Sequence, residues 1–262
     1  MKILMIGDIV GKCGRNTVRE LLPKIIKKYQ IDFVIANGEN VTHGRGIIEN
    51  HYHQLLDMGI DVVTLGNHYR SKSEIDEYIN GADQLIRPAN LKCEIGGVGS
   101  AIYEVNGVTI RVTNLLGQAF MLEEANSPYD VLKEIIEKEE KADIHIVDFH
   151  AEATGEKISL AYAFDGQISA LIGTHTHVQT RDAHILENGT ALLTDVGMCG
   201  PYHGVLGTKK EPVIARTWLH QKAIFEIDDK DTPLFNAVVL DINENSGLAE
   251  QISPIYIIGN HI

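Results

Sequence analysis

An α/β fold with mixed β-sheets is what this sequence predicts, and three observations carry it. Short apolar runs rich in Val, Ile and Leu recur along the 262 residues, each ending in Gly, Asn, Asp or His. Amphipathic stretches at helical spacing lie between them. An Asn-Gly dipeptide between two strand-like runs signals an antiparallel hairpin, so the sheets are not purely parallel.

The first run, KILMIGD at 2–8, reads as a strand buried on both faces, as sheets under helices require. Asp8 and the glycines break it too early for a signal-peptide core. Residues 16–30 follow as a helix, with Val18, Leu21, Leu22, Ile25 and Ile26 at i, i+3, i+4 spacing and Pro23 expected to shift its start. DFVIANGEN at 32–40 and DVVTLGNH at 61–68 are the next strands. Residues 49–58 and 73–80 are helices, the latter with Ser73 and Asp76 as a short cap. Segment 95–112 holds the hairpin, turning at Asn106-Gly107. Residues 128–141 open with Pro and acids and close with Lys, a helix signature. HIVDFH, SALIGTHTH and TALLTDVG are further strands, ending near 150, 177 and 197. KAIFEI and NAVVLDI, separated by DDKDTPLF, read as a second antiparallel pair. With no repeat, low-complexity tract or linker, residues 1–262 are expected to form one domain. Residues 200–220 form an insertion of the kind that faces substrate.

Composition narrows the function. A net charge of −13 argues against wrapping a long nucleic acid, which needs clustered Lys and Arg. A small phosphorylated substrate stays open, because a bound cation can supply positive charge locally. No apolar run approaches the roughly 18 to 20 residues that cross a bilayer. Cys13, Cys93 and Cys199 fit neither a disulfide framework nor a zinc-finger spacing, so a cytoplasmic location is expected. The sequence leaves homo-oligomerisation open.

In open α/β sheets, ligands gather at the carboxyl ends of strands. Here those ends carry metal donors: Asp8, then Glu39 and Asn40, then Asn67 beside His68, then His150, then His175 and His177. Alternate residues of an extended segment point the same way, so His175 and His177 are expected to face one site. Carboxylate, carboxamide and imidazole without thiolate favour Mn, Fe, Zn or Mg. Seven donors exceed one tetrahedral site and suit two ions about 3.5 to 4 Å apart, with Glu39 as the bridge. The loop GDIVGKCG lacks the spacing of a phosphate-binding loop and reads as a tight turn into a helix. The remaining histidines (His43, His51, His53, His145, His184, His203, His220, His261) read mostly as surface or core residues, His203 being the one to watch. The acidic run from Glu137 to Glu140 reads as a solvated helix face.

Across essentially the whole chain these residues resemble the calcineurin-like metallophosphoesterase superfamily, and within it the YmdB-like branch. The resemblance runs through GDIVGKCGR, NGEN, LGNH, RPAN, DFHAEATGEK, GTHTHVQT and TDVGMCGP. It implies a four-layer α-β-β-α sandwich of two mixed sheets. It also implies one metal held by Asp8, Glu39, Asn40 and His177 and another by Glu39, Asn67, His150 and His175. The metals would be two divalent or mixed-valence ions, iron or manganese ahead of zinc or magnesium. Val10 stands where the superfamily usually has a histidine, with Asn40 as the implied substitute. Tyr69-Arg70-Ser71 departs from the family's usual continuation after Asn67-His68, which makes Arg70 a candidate phosphate contact. The expected activity is phosphodiester hydrolysis by attack of a metal-held hydroxide, with His68 protonating the leaving alkoxide. The resemblance implies 2',3'-cyclic nucleotides as substrates and 3'-nucleotides as products. The substrate-binding residues are not evident. The alternatives are a phosphomonoesterase such as a nucleotidase, or a regulatory protein with incidental chemistry.

Overall fold

Strand β1 (Lys2–Ile6) sends Leu4 and Ile6 into one core layer and Ile3 and Met5 into another. That two-sided burial, repeated along the chain, sets the architecture. The computed structural model describes residues 1–92 and 95–259, so Cys93 and His261 lie outside the described residues. After β1 come β2 (Asp8–Ile9), α1 (Gly11–Tyr29), β3 (Phe33–Asn37), α2 (Glu49–Asp57), β4 (Val62–Thr64), α3 (Ile75–Tyr78) and β5 (Leu85–Ile86). The middle of the chain forms β6 (Ser100–Val105), β7 (Val108–Leu116), α4 (Pro128–Lys138), β8 (Ile144–His150), α5 (Thr154–Ala163) and β9 (Ala170–Thr174). The last part forms β10 (His184–Ile185), β11 (Ala191–Leu193), β12 (Met198–Pro201), α6 (Lys210–Thr217), β13 (Pro233–Ile242) and β14 (Ala249–Ile258).

The first sheet runs β2-β12-β13-β1-β3-β4-β5, with β14 on the outer edge of β13. Its β1, β3, β4 and β5 are parallel, and β13 is antiparallel to β1, β12 and β14. The second sheet runs β10-β11-β9-β8-β7-β6, parallel except at its two edge pairs. Ile3, Met5, Phe33 and Ile35 of the first sheet pack against Ile110, Val112, Ile144 and Ile172 of the second. The other face of the first sheet is covered by Val18, Leu21 and Leu22 of α1 and Leu55 of α2. That of the second is covered by Leu132 of α4 and Leu160 and Ala161 of α5. The result is the expected α-β-β-α sandwich with two mixed sheets.

Several local expectations hold and others shift. Asn106 and Gly107 both take positive φ, 54° and 81°, and join β6 to β7 as the hairpin signal requires. Ser127 Oγ accepts the Asp130 N–H and caps α4, with Pro128 in the first turn. Helix α1, however, starts at Gly11 rather than residue 16 and runs through Pro23. Pro23 and Arg19, whose carbonyl it leaves without an amide partner, are both exposed, so water can serve that carbonyl. The start at Gly11 also brings α1 against β12, where a Cβ on Gly14 would run into the Cys199 carbonyl. Segment 73–80 holds only the short α3 and a 3₁₀ turn at Ile79–Gly81, without a side-chain cap. KAIFEI is not a strand. Both edges of β13 are taken, by β1 and β12 on one side and β14 on the other. Pro254 in β14 cannot donate to a ladder, which suits that strand's place at the sheet edge. Helix α5 is not among the elements that the sequence pattern predicts. No helix among the described residues is long and apolar enough to cross a membrane.

Candidate active site

All seven candidate donors sit at strand ends, and both sheets contribute. Asp8 opens β2, Glu39 and Asn40 follow β3, and Asn67 follows β4. From the second sheet, His150 closes β8 while His175 and His177 follow β9. Asp8, Glu39, Asn40 and His150 are buried.

The side chains fall into two groups. His150 Nε2 lies 3.0 Å from Asn67 Oδ1, 3.3 Å from Glu39 Oε1 and 3.1 Å from His175 Nδ1. Glu39, His150 and His175 offer donor atoms within 4.8 Å of one another. In the second group, His177 Nε2 lies 3.1 Å from Asn40 Oδ1 and 3.9 Å from Asp8 Oδ1. Both carboxamides turn their oxygens inward, because their NH₂ groups are engaged by the Gly44 carbonyl and by Glu123. On its other side, the His150 ring meets Thr174 Oγ1, whose hydroxyl donates to Asp148.

Three observations fit this donor set to cations. Asp8 Oδ1 is buried with no hydrogen-bond partner among the described residues, which is costly unless a cation meets it. A Cβ on Gly66 would run into Glu39 Oε2 and His150 Nε2, so only glycine leaves this pocket of donors open. The field also favours positive charge. Burial works against a charged His150, yet Glu39, Asp8 and Asp148 outweigh it and push the imidazole up to about 9. Burial lifts the Asp8 carboxyl above the usual carboxylate range. It would lift Glu39 too, but the His150 charge and hydrogen bonds from His150 and the His68 N–H hold that carboxyl down. Burial, then the His150 charge, lowers His175 to about 3, keeping that ring neutral with a lone pair to offer.

The path to this geometry differs from the expected one. His175 and His177 do not lie on an extended segment; their φ values are 102° and 64°. Non-glycine residues in that region are strained, and such strain persists only where neighbours impose it. Here the neighbours are Lys157 and Asp195, both fully buried. The Lys157 ammonium donates to the Thr174 carbonyl (2.8 Å) and to Asp195 Oδ2 (3.0 Å), which also accepts the Thr176 N–H at 3.0 Å.

Glu39, Asn40, His175 and His177 line a cavity of about 640 Å³, and Asp8, Asn67 and His150 lie behind that lining. His68 lines it, with its backbone N–H donating to Glu39 Oε2 at 2.9 Å and its ring pKa lowered by burial. Leu206, Thr208 and Arg216 from the 200–220 segment line it, as do Ile224, Phe225 and Ile227 just beyond. Arg70 does not: its guanidinium is bound to Asp76 Oδ2 at 2.7 and 2.9 Å, outside the cavity lining. His203 pairs with Asp231 and is not part of the lining, whereas His43 is. Arg45, Glu152 and Arg216 line the cavity unforeseen; as single charged residues in loops or on an exposed helix they carry no pattern in one sequence.

A profile of the YmdB-like protein family matches residues 4–255. The chain is 43% identical over 263 residues to the 2',3'-cyclic-nucleotide 2'-phosphodiesterase of Bacillus subtilis (strain 168), covering 100% of this chain and 99% of that protein. Its structure is similar to that of a phosphatase from Mycoplasma pneumoniae, with TM-score 0.92, 39% identity, and 98% and 93% of the two chains covered. A 5'-nucleotidase precursor from Thermus thermophilus shares the fold at TM-score 0.58 and 10% identity, over 99% of this chain and 55% of that one.

Proposed function

This chain belongs to the YmdB-like protein family, and we propose from that premise that it is a dinuclear-metal phosphodiesterase that hydrolyses 2',3'-cyclic nucleotides to 3'-nucleotides. The observation that carries this reading is the convergence of Glu39, Asn67 and His175 on His150 Nε2 beside the unpartnered Asp8 carboxylate oxygen. Asp8, Glu39, Asn40 and His177 would hold one ion and Glu39, Asn67, His150 and His175 the other. When bound, two such ions lower the pKa of water towards neutrality and offset charge on the phosphoryl oxygens. Iron and manganese suit this donor set, with zinc and magnesium as alternatives.

The chain's own residues do the rest. Glu39 anchors the His68 backbone, which fixes the ring at the cavity wall next to Asn67. From there His68 hands a proton to the 2' oxygen as a water oxygen bonds to phosphorus and the bond from phosphorus to the 2' oxygen breaks, leaving the phosphate on the 3' oxygen. The hydroxyl of Thr174, donated to Asp148, leaves its oxygen to accept from His150 Nδ1, so the opposite nitrogen faces the site.

The test strips the protein with chelator and follows 2',3'-cyclic AMP with and without Mn²⁺, resolving the two product isomers. Turnover restored by metal and giving 3'-AMP is expected. His68→Gln should lower kcat by about 10²- to 10⁴-fold with metal content unchanged. Turnover indifferent to chelation, or 2'-AMP as the main product, would remove the reading.

A further inference from the structure

The donor residues supply only part of the cavity lining; two guanidiniums, the Glu152 carboxylate and an apolar wall that includes Ile224, Phe225 and Ile227 supply much of the rest. Arg45 comes from the segment between β3 and α2, and Arg216 comes from α6. Both side chains are exposed to the cavity and solvent. Among the described residues, no carboxylate oxygen comes within 4.0 Å of either. Arg70 and Arg111, by contrast, are bound by Asp76 and Glu139. In a chain with 36 acidic and 23 basic side chains, two arginines without an acid facing one cavity mark a place kept for an anion.

Arg216 is also held in place. Its guanidinium carbon lies 5.1 Å from the centroid of the Phe225 ring, over its face. Stacking leaves the N–H edge of the guanidinium open and limits the rotamers that binding would otherwise have to freeze. An open, planar donor edge matches phosphate oxygens in a two-point contact.

Charge counting then separates substrates. A 2',3'-cyclic mononucleotide carries one negative charge, on the reacting phosphate, which the donor-set cations serve. Two further cationic side chains, set against the single Glu152 carboxylate that lies 3.2 Å from His175 Nε2, still exceed that need. We propose that Arg45 and Arg216 bind a second, unreacted phosphate of the substrate. This inference rests on the function proposed above and names its substrate class: a 2',3'-cyclic nucleotide with phosphate on its 5' oxygen. That phosphate is either a terminal monoester or the diester link to a preceding nucleotide.

The test compares kcat/KM of the metal-loaded protein on three substrates. They are 2',3'-cyclic AMP, the same compound carrying a 5'-phosphate, and a diadenylate ending in a 2',3'-cyclic phosphate. The wild type should favour at least one phosphate-bearing substrate by about tenfold or more, the size of one charged hydrogen bond. Which of the two is favoured identifies monoester or diester. In Arg45→Met and in Arg216→Met that ratio should fall towards one, and the ratio is independent of how much enzyme is active. A wild-type ratio near one, or a ratio that survives in both variants, overturns the proposal. If none of the three compounds is hydrolysed, the functional reading itself fails. Calorimetry of adenosine 3',5'-bisphosphate against adenosine 3'-phosphate then decides the subsite: equal affinity overturns it, and tighter bisphosphate binding lost in the arginine variants upholds it.

Discussion

Replacing Lys157 by Met tests whether a buried ion pair holds the strained His175–His177 segment. Lys157 and Asp195 are both fully buried, and the ammonium is shared between the Thr174 carbonyl and Asp195 Oδ2. Asp195 also accepts backbone N–H groups of Thr176 and Gly197, so its carboxylate is satisfied in part without lysine. Methionine keeps the unbranched stem of the side chain and removes the ammonium group with its charge. Removing one partner of a buried pair leaves an uncompensated charge and costs about 3–5 kcal/mol. For a chain of this size that lowers Tm by about 6–20 °C, at about 2–4 °C per kcal/mol. Urea unfolding of the metal-free protein measures the loss, and Asp195→Asn in the same background should recover at least about 1 kcal/mol, a coupling typical of contacting residues. Mn²⁺ affinity should fall alongside stability, since the same pair fixes the backbone from Thr174 to Thr176. A loss below about 1 kcal/mol, or a cycle without coupling, would refute the argument.

Two further outcomes come from elsewhere in the fold. His145 is buried with Nε2 at 2.8 Å from Thr113 Oγ1; burial, then the Arg111 charge, pushes it down to about 3. The unfolded chain takes up this proton near 6.5, so the stability is present above that pH and is lost as pH falls towards 3, at about 1.4 kcal/mol per unit. His145→Gln should flatten the fall in urea midpoint between pH 6.5 and 4.5; parallel curves for the two proteins would count against it. Asp229 Oδ1 accepts the Lys12 and Cys13 N–H groups at the start of α1, so Asp229→Ala should cost about 1 kcal/mol in chemical denaturation. An unchanged midpoint would mean that water replaces the cap.

What could be read in advance follows physical lines. The donors were legible because apolar strands announce their own ends, and all seven donors lie at or within three residues of a strand terminus. Two-sided burial leaves continuous apolar runs, which made mixed sheets under helices legible, while the four-layer arrangement was implied only by the family resemblance. The conformation of His175 and His177 was not, because positive φ at a histidine has no signature in residue type. It is imposed by Lys157 and Asp195, which lie 18 or more residues away from one or other of them in sequence. KAIFEI misled because its apolar residues line a cavity rather than a sheet, and pattern alone cannot tell the two apart. Arg45 and Arg216 gain meaning only through the shared cavity. Arg70, adjacent in sequence to the donor-bearing Asn67-His68, turns out to be tied to Asp76 instead.

The position of β1 between β3 and β13 has a consequence for how the protein is made. Its parallel neighbour emerges almost at once, but its antiparallel neighbour begins only at Pro233. At translation rates of about 5–20 residues per second, the second edge of β1 stays open for roughly ten to fifty seconds. Throughout that interval Ile3, Leu4 and Met5 belong to an unfinished sheet whose exposed backbone invites pairing with other chains. The nascent chain is therefore most vulnerable to aggregation before its last hairpin arrives, and a chaperone that shields its first strand would act in that window.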